Sequence, residues 1–196
     1  MLKFAHSPLH PWLRAGLLIA MAAGLDACSG RLPDAPEPLD LIQSINVAQP
    51  DQAVRFEFET SERNFYPGRP YQLEFEVDRH GSDPEGGPDM FALHIPFEVS
   101  LQRWSAGTWQ AVPTSDSYQG RARNLGEPMP EWHRSSAWRY ARLSYMTAGE
   151  HSWYIVTLPI ENDARYRLDV RTVEPIEELQ SHSPRLRVRA DPMPGK

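Results

Sequence analysis

Apolar and polar residues alternate along most of the chain after residue 50. In VRFEFET (54–60), Val54, Phe56 and Phe58 fall on one side and charged residues fall on the other. A period of two places neighbouring side chains on opposite faces of an extended strand, so this pattern predicts a half-buried β-strand. Alternation of this kind, or a short run compatible with it, predicts about eight strands: 54–60, 71–78, 95–104, 109–112, 137–143, 152–158, 164–173 and 185–190.

The segments between these strands favour an antiparallel arrangement. SAGT (105–108) separates two of the predicted strands and is typical of a hairpin turn. No stretch after residue 30 shows a convincing amphipathic helix. Two packed sheets bury the apolar faces of many such strands. We therefore expect an all-β protein with an immunoglobulin-like antiparallel β-sandwich of about seven to eight strands.

Charge is distributed unevenly over the predicted strands. The outward positions of the early strands are acidic: Glu57, Glu59, Glu74, Glu76 and Asp78. Those of the late strands are basic: Arg165, Arg167, Arg171, Arg185, Arg187 and Arg189. Because opposite charges on neighbouring strands stabilise a sheet by roughly 0.2–1 kcal/mol per pair, we expect early and late strands to be neighbours. A second interpretation is that the acidic stripe binds a cation or a basic partner.

The first thirty residues predict export from the cytoplasm. Lys3 and Arg14 precede an apolar stretch, AGLLIAMAAGL (15–25), and no acidic residue comes before it. A helix of this length would span about 16 Å. That is too short to cross a bilayer but suits the apolar region of a signal peptide.

The single cysteine of the chain follows this stretch, in Leu25-Asp26-Ala27-Cys28. The tetrapeptide resembles the lipobox of bacterial lipoproteins, although that motif has a small or apolar residue where Asp26 stands. The resemblance implies that Cys28 is diacylated and that the peptide before it is removed. One alternative is an ordinary secretory signal cleaved near Ala22 or Ala27, with Cys28 a free thiol. The other is an uncleaved anchor helix, which the short apolar stretch disfavours.

The lipoprotein interpretation divides the chain into four parts. They are a signal peptide (1–27), a Pro-rich tether that begins with the lipidated cysteine (28–44), a β-sandwich domain (45–190) and a C-terminal tail (191–196). The prolines of the tether favour an extended chain. By the same resemblance, Ser29 implies an outer-membrane lipoprotein that faces the periplasm. The inner membrane and the soluble periplasm are less favoured locations.

The chain has no motif of a known catalytic or metal site. A nucleophile elbow, a P-loop, HExxH and CxxC are absent from the sequence. Among the five histidines that follow the predicted signal peptide, no two have metal-ligand spacing; they are His80, His94, His133, His151 and His182. Two Met-x₃-His spacings, Met90/His94 and Met129/His133, fall in Pro-rich context, which favours chance over copper binding. The net charge of −6 disfavours nucleic acid as a partner. We therefore expect a non-enzymatic protein with no cofactor, metal or nucleic acid.

The segment 113–136 is the strongest candidate for a binding surface. Its 24 residues show no periodicity, and loops of that length in compact domains are commonly functional. Trp, Tyr and Arg are enriched at protein-binding hot spots. The partner-binding candidates in the segment are Tyr118, Arg121, Arg123, Trp132, His133 and Arg134. The alternative is that Trp132 only holds the loop over the core. A second long loop, 79–94, would form an acidic rim beside it.

Three features together resemble a group of exported bacterial lipoproteins with a domain of unknown function. They are the signal-plus-cysteine start, the strands FEFET and YQLEFEV, and the segment LPIENDARYRLDV. In the last segment, Tyr166, Leu168 and Val170 match the closing pattern of the group, whereas Ala164 stands in place of its glycine. The resemblance covers residues 45–190.

This resemblance implies a lipid-anchored periplasmic domain that binds a protein partner. Some members of the group act as immunity proteins, which neutralise antibacterial toxins injected by neighbouring cells. Lipidation would suit such a task because it confines the domain and raises its effective concentration. One alternative is a structural lipoprotein subunit of an envelope or secretion assembly. Another is an envelope lipoprotein that binds a small ligand or a metal.

Overall fold

A computed structural model describes residues 37–79, 89–147 and 149–191. The predicted signal peptide, Cys28, most of the tether and most of the C-terminal tail lie outside the described residues. The described part contains these elements, numbered in chain order: β1 (Asp40–Ser44), β2 (Ala53–Glu59), β3 (Tyr71–Asp78), β4 (Ile95–Ser105), β5 (Thr108–Val112), α1 (Ser117–Leu125), β6 (Trp138–Met146), β7 (Glu150–Leu158), β8 (Arg165–Thr172), α2 (Glu177–Gln180) and β9 (Arg185–Ala190).

The strands form an antiparallel sheet that folds back on itself into two layers. One layer has the order β1-β9-β3-β7-β6, and the other has the order β6-β4-β8-β2, with β5 beside β4. β6 belongs to both layers because residues 138–141 pair with β4 whereas residues 142–146 pair with β7. On the opposite side, Gln43 Nε2 of β1 donates to the carbonyl oxygen of Arg55 on β2 at 2.9 Å. The all-β prediction is confirmed, and the sheet comes close to closing as a barrel.

The core lies between the layers and is built from the positions that the alternation predicts. Phe56, Phe75 and Phe97, on β2, β3 and β4, are at most 1% exposed. The ring of Phe75 in one layer lies 5.6 Å from that of Phe97 in the other, and 5.6 Å from that of Trp153 on β7. Full burial of such a side chain stabilises the fold by roughly 1.5–3 kcal/mol. This aromatic cluster therefore joins the two layers.

The predicted hairpin at 105–108 is confirmed as the β4–β5 turn. Ala106 and Gly107 form its loop, and their φ angles are 49° and 80°. Two successive positive φ angles are typical of a type I′ turn, whose twist matches that of the flanking strands. Gly107 adopts this conformation without steric penalty, and Ala106 carries the strain.

Strand β1 was not predicted from the sequence. Asp40–Ser44 lies within the segment predicted as tether, yet it pairs with β9 along its whole length. The ordered domain therefore begins before residue 45. Five residues with only Leu41 half-buried are too few for alternation to be detected in the sequence.

Two short helices lie between the strands, although no stretch of the sequence after residue 30 predicted an amphipathic helix. α1 has nine residues and buries none of them, and α2 is a single turn with only Leu179 buried. Amphipathic periodicity reflects a buried face, so neither helix could produce that pattern. Within the described ranges, no helix is long and apolar enough to cross a membrane.

The acidic early strands and the basic late strands are neighbours, as predicted. β2 pairs with β8 so that Glu57 lies opposite Arg167 and Glu59 opposite Arg165. Arg165 Nη2 also donates to Glu57 Oε1 at 2.9 Å. The acidic strand β3 likewise pairs with the basic strand β9. Cross-strand pairing therefore accounts for both acidic stripes without a bound cation.

On β3 the acidic stripe is buried, although its face points away from the core. Glu74 is 2% exposed and Glu76 is 0% exposed. Arg189 Nε lies 2.6 Å from Glu74 Oε2. Arg185 Nε lies 3.0 Å and Arg187 Nη1 3.4 Å from the carboxylate of Glu76. Burial raises the pKa of Glu74, and the charge of Arg189 opposes that shift.

The ion pairs continue onto the neighbouring strands. Arg185 also binds Asp78 and lies 3.0 Å from Glu150 on β7. Arg187 lies 2.6 Å from Asp40 on β1, and its hydrogen bond lowers the pKa of that carboxyl group. We call this set of side chains the β3–β9 ion network; its members are Asp40, Glu74, Glu76, Asp78, Glu150, Arg185, Arg187 and Arg189.

Replacing Glu76 should destabilise the fold far more than replacing an exposed carboxylate. Glu76→Gln removes a fully buried charge from three arginines, and breaking a buried ion pair costs about 3 kcal/mol. Glu57→Gln is the matched control, because Glu57 is a partly exposed strand residue that also pairs with arginine, and such pairs contribute about 0–1 kcal/mol. Urea unfolding measures both changes. Equal losses for the two variants would contradict the structural role of the network.

Candidate functional site

The candidate segment 113–136 is folded around helix α1. Asp116 is the N-cap: its Oδ1 accepts the backbone N–H of Gln119 at 2.8 Å, and Gln119 Oε1 accepts the N–H of Asp116 at 3.4 Å. This reciprocal pair is a capping box. At the other end, Gly126 has φ 68° and donates its N–H to the carbonyl of Ala122 at 3.2 Å. Caps rather than a buried face therefore define α1.

Asp116 also anchors the helix to the sheet. Its Oδ2 accepts the backbone N–H of Tyr140 on β6 at 2.8 Å and lies 2.9 Å from Nε2 of His133. The Asp116 and His133 side chains are 0% and 1% exposed. One buried carboxylate therefore joins the start of α1, the end of the following loop and β6. We call residues 116–134 the helix–loop platform.

Trp132 joins the aromatic side chains around this anchor. Its ring lies 4.8 Å from that of Tyr118, 5.2 Å from that of Tyr140 and 4.0 Å from that of His94. The Tyr140 hydroxyl donates to the carbonyl of Trp132 at 3.0 Å. Because Tyr140 is 2% exposed, Trp132 holds the loop against a buried residue. This contact corresponds to the alternative interpretation of the sequence, in which Trp132 only holds the loop over the core.

The three arginine candidates are exposed. Arg121 Nε lies 2.8 Å from Glu127, and Arg134 pairs with Glu174 while its guanidinium covers the ring of Trp138. Arg123 forms no ion pair with the described residues. The six candidates thus divide into two groups. Tyr118, Trp132 and His133 form the base of the platform, and Arg121, Arg123 and Arg134 lie on its surface.

Several residues of the platform were not predicted from the sequence. Asp116 anchors the platform to Tyr140, which lies outside it on β6. The spacing of Asp116 and Gln119 is a capping-box pattern that could have indicated a helix start. Leu125 and Met129 are large apolar side chains that are 68% and 37% exposed. No sequence signal distinguishes an exposed leucine from a buried one in a segment without periodicity.

The Asp116–His133 pair resembles the acid–imidazole half of a catalytic triad, but its surroundings give it a structural role. Both carboxylate oxygens of Asp116 already accept backbone N–H groups, and the imidazole is buried. A general base must reach the proton that it removes. Burial raises the pKa of the neighbouring Tyr118, with Arg142 opposing and Asp116 adding to the shift. Among the described residues, no three His, Cys, Asp or Glu side chains are grouped to hold a metal.

A second aromatic group lies on β4 and β5, outside the predicted site. Trp104 of β4 is 42% exposed, and its ring lies 5.2 Å from that of Trp109 on β5. The guanidinium of Arg167 lies 4.3 Å from the ring of Trp109 and that of Arg165 lies 5.6 Å from it. The face of Trp109 is therefore already covered by cations of the same chain.

Comparison with known proteins supports the fold class alone. The chain matches no known protein family. No curated protein sequence matches it significantly. The fold is similar to the crystal structure of a protein from Sulfurospirillum deleyianum, with a TM-score of 0.51 and 10% sequence identity over 79% of this chain and 98% of that one. At this identity the likeness concerns the arrangement of strands, and it carries no residue of the platform with it.

Asp116→Ala should detach the platform and destabilise the fold. The loss of the N-cap costs about 1 kcal/mol, and each buried donor left without an acceptor costs about 1–3 kcal/mol. We expect a total loss of about 3 kcal/mol in urea unfolding. Glu127→Gln, which removes a surface ion pair from the same segment, is the control and should cost about 0–1 kcal/mol. A loss for Asp116→Ala as small as that of the control would contradict the anchoring role.

Proposed function

We propose that this chain is a non-enzymatic, lipid-anchored periplasmic domain that binds a protein partner through the helix–loop platform. The observation that carries the proposal is the contrast between the two sides of the platform. Its base is fixed by buried contacts of Asp116, His133 and Trp132, while its surface exposes Leu125 and Met129 beside unburied arginines. A rigid backbone that presents exposed apolar and arginine side chains binds with a small loss of conformational entropy.

The membrane part of the proposal rests on the N-terminal sequence. An apolar stretch of signal-peptide length ends at Leu25, three residues before Cys28, and residues 29–39 separate that cysteine from the first strand. Two or more acyl chains would hold the protein durably on a membrane, whereas one chain gives only marginal attachment. We place it on the outer membrane, facing the periplasm.

Toxin immunity is the partner-binding role that we favour. An immunity protein needs a preformed surface and a location on the path of the incoming toxin, and the platform and the proposed anchor supply these. The runner-up is a structural subunit of an envelope or secretion assembly, which would use the same surface for a permanent neighbour. A toxin gene beside the gene for this chain would favour the first role, and genes for a secretion machine would favour the second.

We infer further that the fold is a variant of the immunoglobulin-like sandwich. In that fold, strands A-B-E-D face strands C-F-G. The orders β3-β7-β6 and β4-β8 correspond to B-E-D and C-F in chain order and in pairing. The edges differ, because β9 lies beside β3 where strand A would lie, and β2 lies beside β8 where strand G would lie. The outer strands have thus exchanged layers, which leaves both central pairings intact.

Lipid attachment should depend on Cys28 alone. In cells fed labelled palmitate, the wild-type chain should incorporate label and fractionate with membranes, because the thiol carries the acyl chains. Cys28→Ser should abolish labelling and shift the protein to the soluble fraction. Ser29→Ala is the matched control and should retain the label. Absence of label in the wild-type chain, or an unchanged fractionation of Cys28→Ser, would contradict the lipoprotein proposal.

A photo-crosslinking side chain on the platform should capture a partner. We expect Leu125 and Met129, replaced one at a time by p-benzoylphenylalanine in the full-length protein, to give an adduct of defined mass in intact cells. The control is the same replacement of Glu178, an exposed residue of α2. An adduct that forms only when toxin-injecting competitor cells are present indicates immunity, and a constant adduct indicates a structural subunit. No adduct, or equal adducts at the platform and at Glu178, would contradict the proposed docking surface.

A further inference from the structure

A cleft of about 350 Å³ lies between helix α1 and the start of β6. Arg123 and Arg139 line it together with the hydroxyl-bearing residues Thr114 and Ser136. Met129 and Ala122 contribute an apolar wall. Gln119 and His133 complete the lining. The volume of the cleft falls in the range of small-molecule sites, and its two arginines can only donate hydrogen bonds.

Arg139 is held in place by the chain around the cleft. Its Nη1 donates to the carbonyl oxygens of Ser136 at 2.8 Å and Trp138 at 3.0 Å, and its Nε reaches Thr114 Oγ1 at 3.4 Å. Its Nη2 forms no hydrogen bond with the described residues. The guanidinium is therefore oriented by neutral acceptors and keeps one nitrogen, with two N–H groups, for another acceptor.

Neither arginine of the cleft has a carboxylate partner within the described part of the chain. Ten other arginines lie within 4.0 Å of a carboxylate oxygen: Arg55, Arg103, Arg121, Arg134, Arg165, Arg167, Arg171, Arg185, Arg187 and Arg189. Ion pairing is thus the common state of arginine in this chain. In the cleft, two cations instead face one space without a counter-charge.

The Asp116 carboxylate is close enough to act on Arg139 electrostatically, but its oxygens are used by Gln119, Tyr140 and His133. Burial lowers the pKa of the Arg139 guanidinium; Asp116 opposes that shift and Arg123 adds to it. Positive charge is therefore incompletely compensated at this point of a chain whose net charge is −6. An anionic ligand would relieve both the burial of Arg139 and its repulsion with Arg123.

We propose that this cleft is a binding site for a small organic dianion, either a phosphate monoester or a dicarboxylate. A guanidinium matches the oxygens of both groups with paired N–H donors. Two arginines balance a double negative charge, and the hydroxyls of Thr114 and Ser136 can donate to further oxygens. The wall formed by Met129 and Ala122 suits the organic part of the ligand. The inference does not depend on partner binding by the platform, although Arg123 and Met129 belong to both surfaces.

Calorimetric titration of the full-length protein in detergent tests the site with two probes, phenyl phosphate and succinate, at constant ionic strength. We expect at least one probe to bind at a single site, and the tighter one identifies the ligand class. Arg139→Gln and Arg123→Gln should each weaken binding about tenfold, which corresponds to the loss of one charge-assisted hydrogen bond. Arg139→Lys, which keeps the charge but lacks the planar fork, should also weaken binding.

Arg63→Gln is the matched control, because Arg63 is exposed, forms no ion pair with the described residues and lies outside the cleft. It should leave the affinity unchanged. Circular dichroism checks that each variant is folded. If Arg139→Gln does not fold, Arg123→Gln still tests the site. The proposal is overturned if neither probe binds, if potassium chloride competes as well as the probes do, or if Arg63→Gln weakens binding as much as Arg123→Gln. None of these results would affect crosslinking at Leu125, which does not line the cleft.

Discussion

The complementarity between acidic early strands and basic late strands is the constraint on which the rest of the fold depends. β2 and β3 carry carboxylates on one face, and β8 and β9 carry arginines at matching registers, so pairing of an early strand with a late strand is favoured. A slip of one residue would move every charge to the core side. The two pairings bring the ends of the domain together. β1 can then add to β9, and the chain between β3 and β8 must supply the middle of both layers.

The charge complementarity occurs in two environments, and its contribution to the free energy of unfolding differs between them. The ion pairs between β2 and β8 are exposed. They help to set the register of the two strands but add little to the free energy of unfolding. On the β3–β9 pair, Glu74 and Glu76 are withdrawn from water by three arginines, and the network spans four strands. A buried network of this kind costs desolvation and in return disfavours alternative registers, because any shift would leave a buried charge without a partner. The long-range β3–β9 pairing is thereby specified by charge as well as by shape.

The platform is held by a different interaction. One buried carboxylate fixes its helix in place of the apolar face by which helices usually pack. α1 packs no side chain into the core, and Asp116 holds it by accepting from its own first turn and from β6. Because the helix needs no buried face, its side chains can remain exposed. Leu125 and Met129 remain exposed, and Arg123 faces a cleft with Arg139. The proposed docking surface and the proposed anion site both follow from anchoring a helix at its cap rather than along its length.

The sequence by itself determined the all-β class, most of the strands, the β4–β5 turn and the charge pairing, because alternation and cross-strand complementarity are local or pairwise properties that the chain records directly. It also determined which segment would be irregular, but not that 116–126 would be a capped helix, since a helix without a buried face leaves no periodicity. Only the tertiary structure decided that β1 joins β9, that β6 divides between two layers, and that Glu74 and Glu76 are buried. It alone brought Asp116, His133 and Tyr140 together and set Arg123 and Arg139 around one cleft. Those outcomes depend on which distant segments cover one another, and burial of a polar group depends on neighbours that no short stretch of sequence contains.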